Sequence, residues 1–205
     1  VKKRVFSVLY MFCLTLLFTG AVSAVKTGLD DRIRINEELK RKSIVLGVLG
    51  LDTARSSDET LTRYELGVTE RSLGGRTVYE GRGPDGEITG YAFEVSGPGF
   101  WGPIRAMAAV DKNGSRLLGV DFYRHTETPG LGARMTEPWF RGQFAGLPLT
   151  RTTGAFFRLV PPGTGEAPGD LDAITGATQT SMAIERFLNR ELADVRKTLI
   201  VGEEF

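Results

Sequence analysis

The stretch Asp172-Ala173-Ile174-Thr175-Gly176-Ala177-Thr178-Gln179-Thr180-Ser181 gathers three threonines and a serine among small residues, just before a segment with helical periodicity. Small residues let a bulky group come close to the backbone. The free N–H groups of a first helical turn, aided by the helix dipole, favour a phosphate there. A threonine or serine at a helix start is also the usual N-cap, so the pattern alone leaves an anion site and a plain cap both open. Asp172 has a bland reading too, as the acceptor of an Asx-type turn bond. Farther upstream lies His125-Thr126-Glu127-Thr128-Pro129-Gly130-Leu131-Gly132. Its Pro-Gly pair signals a turn, and its glycines clear side chains from a surface. Glu127 could accept a hydrogen bond from a ligand or be a surface acid. His125 could move protons near neutral pH, although an incidental surface histidine fits as well.

The elements that must hold these strings can be read around them. Ile184, Phe187, Leu188, Leu192, Val195 and Leu199 follow helical spacing, which predicts an amphipathic helix packed on a sheet. Pro84-Asp85-Gly86 and Lys112-Asn113-Gly114 are hairpin signals. Between and after them, 88–95, 104–110 and 117–123 read as strands, with 155–160 a further candidate and 161–169 a loop. Simple alternation puts Leu118, Val120 and Phe122 on one face of the third strand, and Leu117, Gly119, Asp121 and Tyr123 on the other. Trp101, Trp139, Phe140 and Phe144 are expected in the core or at a partner contact. Before the strands, 29–42 predicts a charged helix leading into a buried run at 44–51. The segment 52–62 is a loop or a short helix.

At the N-terminus, three basic residues precede an uncharged stretch from Val5 to Val25. As a helix this would span roughly 30 Å, about the hydrocarbon thickness of a bilayer. The basic residues before it and Asp30 and Asp31 after it predict a cytoplasmic N-terminus and an outer body. Val22-Ser23-Ala24 also suits a signal-peptide cleavage site, which would put the body on the same side. The expected organisation is therefore 1–28 as membrane anchor, 29–75 as helical lead-in and 76–205 as the functional domain. The fold class expected is α+β, with a twisted, largely antiparallel sheet and packed helices.

Composition narrows the function. With 26 Lys and Arg against 25 Asp and Glu, the net charge of +1 gives no sign of a nucleic-acid partner. One cysteine and one histidine leave no intrachain disulfide, thiolate cluster or His-rich metal site. Redox chemistry would have to come from an organic cofactor or an oxygen-bound metal. No Gly-x-Gly-x-x-Gly string leads from a strand into a helix, so dinucleotide binding is not expected.

The string from Asp172 to Ser181 resembles the flavinylation motif of the FMN-binding domain found in the G subunit of Rnf complexes and the C subunit of the sodium-translocating NADH:quinone reductase. Glu127-Thr128-Pro129-Gly130-Leu131-Gly132 resembles a second string of those families, and Gly97–Ile104 is similar as well. The resemblance implies FMN joined through its phosphate to Thr178, with Thr175, Gly176, Ala177, Thr180 and Ser181 shaping or binding the phosphate end. It implies that Glu127, Thr128, Pro129, Gly130, Leu131 and Gly132 border the ring, with Glu127 facing its imide N–H. Asp172 would be recognised by a flavin transferase. The chain would be an electron-carrying subunit without turnover of its own, beside other membrane subunits in a bacterial inner membrane, its FMN outside the cytoplasm. The wording of the motif favours the Rnf type over the quinone-reductase type. A standalone extracytoplasmic flavoprotein and a reversible ligand binder are the rivals.

Overall fold

The computed structural model describes residues 2–51, 56–150 and 154–202. The chain divides into two compact units between Arg41 and Lys42. In the first, helix α1 (Lys2–Val48) begins, and its apolar side chains such as Val5, Phe6, Leu9, Phe12 and Leu16 are exposed. It is long and apolar enough to cross a bilayer. Its last turns belong to the second unit, where Val45, Leu46, Val48 and Leu49 are buried as the apolar run predicted.

Helix α2 (Ser57–Gly67) answers the question left at 52–62, of which residues 52–55 lie outside the described ones. Ser56 caps it by accepting the Glu59 N–H at 3.2 Å, and Asp58 and Glu59 complement the N-terminal dipole.

A six-stranded sheet follows in simple sequential order: β1 (Val68–Leu73), β2 (Arg76–Arg82), β3 (Ile88–Pro98), β4 (Pro103–Asp111), β5 (Arg116–Arg124) and β6 (Leu147–Pro148). Every neighbouring pair is antiparallel, so the fold class agrees with expectation. Both hairpin signals fall where predicted, at the β2–β3 and β4–β5 turns. Strand β1 lies inside the stretch expected to be helical. It is an edge strand whose Thr69, Glu70, Arg71 and Ser72 are all exposed, so it lacks the alternation that marks a strand in sequence.

One face of the sheet packs on helix α4 (Thr178–Gly202) and an aromatic cluster that includes Phe93, Phe122, Phe140, Phe144 and Phe187. The other covers the end of α1 with Tyr64, Tyr79 and Met107. Alternation along β5 fails at one point. Leu117 joins Val120 and Phe122 on the α4 side, while Leu118 packs with the opposite cluster. The cause is a bulge: Val110 pairs with Leu117 and Ala109 with Gly119, which leaves Leu118 as an extra residue.

Beyond β5 come a 3-10 turn (Gly132–Thr136), the short helix α3 (Pro138–Gly142) and the strands β7 (Arg158–Val160) and β8 (Asp170–Asp172). The last two form a separate parallel pair, so the strand expected over 155–160 shrinks to its end. Asn189 of α4 holds residues 156–157: its side-chain oxygen accepts the Phe156 N–H at 2.7 Å, and its amide donates to the Phe157 carbonyl at 3.0 Å.

Candidate cofactor site

The two sequence strings fold into facing turns. In the first, the Leu131 N–H donates to the Thr128 carbonyl at 3.1 Å across Pro129 and Gly130. In the second, the Ala177 N–H donates to the Ile174 carbonyl at 3.0 Å across Thr175 and Gly176. Gly130 and Gly176 have φ of 74° and 77°, the positive value required at the third position of a type II turn. A Cβ on Gly176 would stand 3.1 Å from Leu131 Cδ2, so the turns touch. A glycine there lets Leu131 lie directly on the second turn.

Thr178 is the first residue of α4 and is exposed. The carbonyl of Ala177 accepts the Ser181 N–H at 3.0 Å, which makes Ala177 the cap residue. Alanine has no side-chain acceptor, so the plain threonine cap is ruled out for this helix. The first-turn N–H groups, which have no intrahelical acceptor, remain for another partner.

Glu127 is not a surface acid. It is 4% exposed, and both its oxygens are engaged by protein donors. Oε1 accepts the N–H groups of Phe100 and Trp101 at 2.8 and 3.0 Å, and Oε2 accepts the Thr180 hydroxyl at 2.7 Å. His125 is half-buried and supports this arrangement, its Nδ1 accepting the Glu127 N–H at 3.2 Å. Thr180 and Ser181 are likewise buried. The Ser181 hydroxyl accepts the Ile174 N–H at 3.0 Å and so braces the second turn.

Asp172 points into the loop after β7, accepting the Gly163 N–H at 3.0 Å. Its backbone is clamped by the Gln143 side chain, which accepts the Asp172 N–H at 2.7 Å and donates to its carbonyl at 3.2 Å.

Between the turns and α4 opens a cleft of about 360 Å3. That volume falls within the roughly 300–1,000 Å3 of small-molecule sites. Of the residues picked out in sequence, Glu127, Thr128, Leu131 and Gly132 line one side, and Gly176, Ala177, Thr178 and Thr180 the other. Pro129, Gly130, Thr175, Ser181 and Asp172 shape the turns without reaching the cleft. The rest of the wall is Gln179 with Phe100 and Trp101. Trp101 is therefore not a core residue: it is 67% exposed and packs edge-on to Phe100 at 5.0 Å. Phe140 and Phe144 are fully buried as expected, and Trp139 lies half out beside Arg134. Phe100 was not singled out from the sequence. The signal was present, since a Phe-Trp pair flanked by Gly-Pro on both sides has no helical or strand period to bury it.

The cleft suits a phosphorylated aromatic ligand. An exposed hydroxyl and unpaired first-turn amides meet the phosphate, and an exposed aromatic pair and Leu131 offer apolar surface to a ring.

Comparison with known proteins agrees. Residues 99–193 match the family described as the FMN-binding domain. The chain is 38% identical over 106 residues to the G subunit of the ion-translocating oxidoreductase complex of Methanosarcina acetivorans, covering 52% of this chain and 51% of that one. It is 32% identical over 114 residues to the C subunit of the sodium-translocating NADH-quinone reductase of Yersinia pestis, covering 55% and 43%. Thus it spans about half the length of these two relatives. The solved C subunit of the same reductase from Parabacteroides distasonis superposes with a TM-score of 0.69 at 25% identity, over 83% of this chain and 96% of that one.

Proposed function

We propose, for a chain whose residues 99–193 match the FMN-binding domain, that it is an electron-transfer subunit of a membrane-bound, ion-translocating oxidoreductase of the Rnf type, carrying FMN on Thr178. The observation that carries this is the placement of the Thr178 hydroxyl: exposed, at the first residue of α4, beside amides that no side chain caps among the described residues. An ester bond to phosphate there would leave the phosphate's charge at the positive end of the helix.

Bound FMN supplies reversible electron uptake in its ring. The chain's own residues orient and shelter it. Gly176 and Leu131 set the separation of the two turns, and Phe100 and Trp101 form the far wall. Asp172, turned toward the Gly163 loop and away from the cleft, is free of repulsion with a phosphate and remains half-exposed for a flavin transferase to read.

The layout that goes with this function has 1–28 as a membrane anchor, 29–75 as the lead-in and 76–205 as the cofactor domain. The basic residues before the apolar run support a body outside the cytoplasm, where a covalent bond prevents loss of cofactor. Other membrane subunits are the partners.

The test is co-expression with an active flavin transferase, followed by a denaturing gel viewed under ultraviolet light. A fluorescent band is expected for the wild-type chain and none for Thr178→Ala. A dark wild-type band, or a bright one in the variant, refutes the assignment.

A further inference from the structure

Among the described residues, Glu127 is the one carboxylate in the cleft wall, and it is buried. All three of its contacts are donors: two backbone N–H groups from the Phe100–Trp101 loop and one hydroxyl from α4. It therefore acts purely as an acceptor, as an ionised carboxylate does. No described residue forms an ion pair with it, and among the described residues no Lys, Arg or His lines the cleft. Two glycines confirm how closely it is packed. A Cβ on Gly99 would come within 2.5 Å of Oε1, and one on Gly132 within 2.8 Å of Oε2. The backbone has been kept bare on both sides of this group.

We infer that Glu127 is a positioning residue with two separable effects on the flavin. As a strap it ties the aromatic wall at Phe100–Trp101 to the first turn of α4, and so fixes the width of the cleft. As a buried negative charge with no ion-pair partner among the described residues, it opposes the addition of electrons to a ring held in that cleft, and so keeps the flavin's potential low. Both effects act through groups other than the reacting atoms: Oε1 holds the two N–H groups of the aromatic wall, and Oε2 holds the Thr180 hydroxyl. A negative charge acts more strongly here than in water, because the wall excludes solvent from it. The inference rests on the functional assignment above only for its second effect.

Glutamine and alanine separate the two. Glu127→Gln keeps an oxygen for the two N–H groups and loses the charge, whereas Glu127→Ala loses both. Amide exchange in the peptide containing Phe100 and Trp101, measured on the full chain without flavin, reads the strap. Protection at those two amides should match wild type in the glutamine variant and fall at least tenfold in the alanine variant. The midpoint potential of the loaded full chain reads the charge and should move to more positive values in Glu127→Gln. Unchanged exchange in Glu127→Ala would overturn the strap. A glutamine potential equal to wild type, or lower, would overturn the charge effect. If the wild-type chain takes no flavin, the functional assignment and the charge effect fall together, and the exchange result still decides the strap.

Discussion

Replacing Gly132 by alanine tests the packing of the site without removing any hydrogen-bonding group. The φ of Gly132 is not among the positive values, so alanine meets no backbone strain there. What it meets is a hydrogen bond. The added Cβ would lie 2.6 Å from Thr180 Oγ1 and 2.8 Å from Glu127 Oε2, the two atoms joined at 2.7 Å. It would also lie 2.9 Å from Glu127 Cβ, which blocks the simplest retreat. Overpacking of a buried site costs about 1–3 kcal/mol. Separating Thr180 from the carboxylate removes a charge-assisted bond worth about 1.5–3 kcal/mol. The two costs describe one displacement and overlap, so a net loss of about 2–4 kcal/mol is expected. Equilibrium unfolding of the full chain in detergent, followed by the fluorescence of Trp101 and Trp139, measures it. Gly142→Ala is the control: that glycine is exposed, with nothing within 4 Å of an added Cβ, and its change should stay within about 0.5 kcal/mol. A Gly132→Ala loss below about 0.5 kcal/mol would refute the packing argument, as would an equal loss in the control.

Two further outcomes concern the frame around the site. Asn189→Ala removes the acceptor for Phe156 N–H and the donor to the Phe157 and Glu185 carbonyls. It should cost about 2–3 kcal/mol and speed amide exchange at residues 156–157, and unchanged exchange there would count against the clamp. Asp111 supplies a pH effect. Burial works against its charge, but the Ser115 hydroxyl and the Ser115 and Arg116 amides outweigh burial and hold its pKa below the ordinary 3.8. A carboxyl lowered on folding stabilises above its unfolded value and loses that contribution as pH falls through the folded one. Asp111→Asn should therefore destabilise at pH 7, with the difference from wild type closing only in acid below about pH 3.8. A difference that is constant with pH would rule out the linkage.

The parts of this protein that can be read in sequence are those with a strong period or a demanding backbone. Helix α4 shows its stripe from Ile184 to Leu199, and the hairpin turns show Asp-Gly and Asn-Gly. Gly130 and Gly176 mark turns because only their φ fits. Strand β1 escapes because an edge strand can be polar along most of its length. The β5 bulge escapes because one unpaired residue reverses every later side chain without altering composition. The part played by Glu127 escapes for a different reason. Its partners are 26, 27 and 53 residues away in the chain, and a carboxylate that bonds backbone N–H groups needs no particular residue type opposite it. Thr178 could be picked out because its motif is local, whereas the aromatic wall facing it is assembled by tertiary structure.

Helix α4 joins two tasks that are usually kept apart. Its first residue, Thr178, presents the exposed hydroxyl proposed above as the flavin acceptor, while Ile184, Phe187, Leu188 and Leu192 along the same helix are among the most deeply buried residues. The chain therefore cannot fold without assembling the acceptor, and the acceptor stands outside once it has folded. On the assignment proposed for Thr178, a transferase would reach its hydroxyl in the folded chain without unfolding α4.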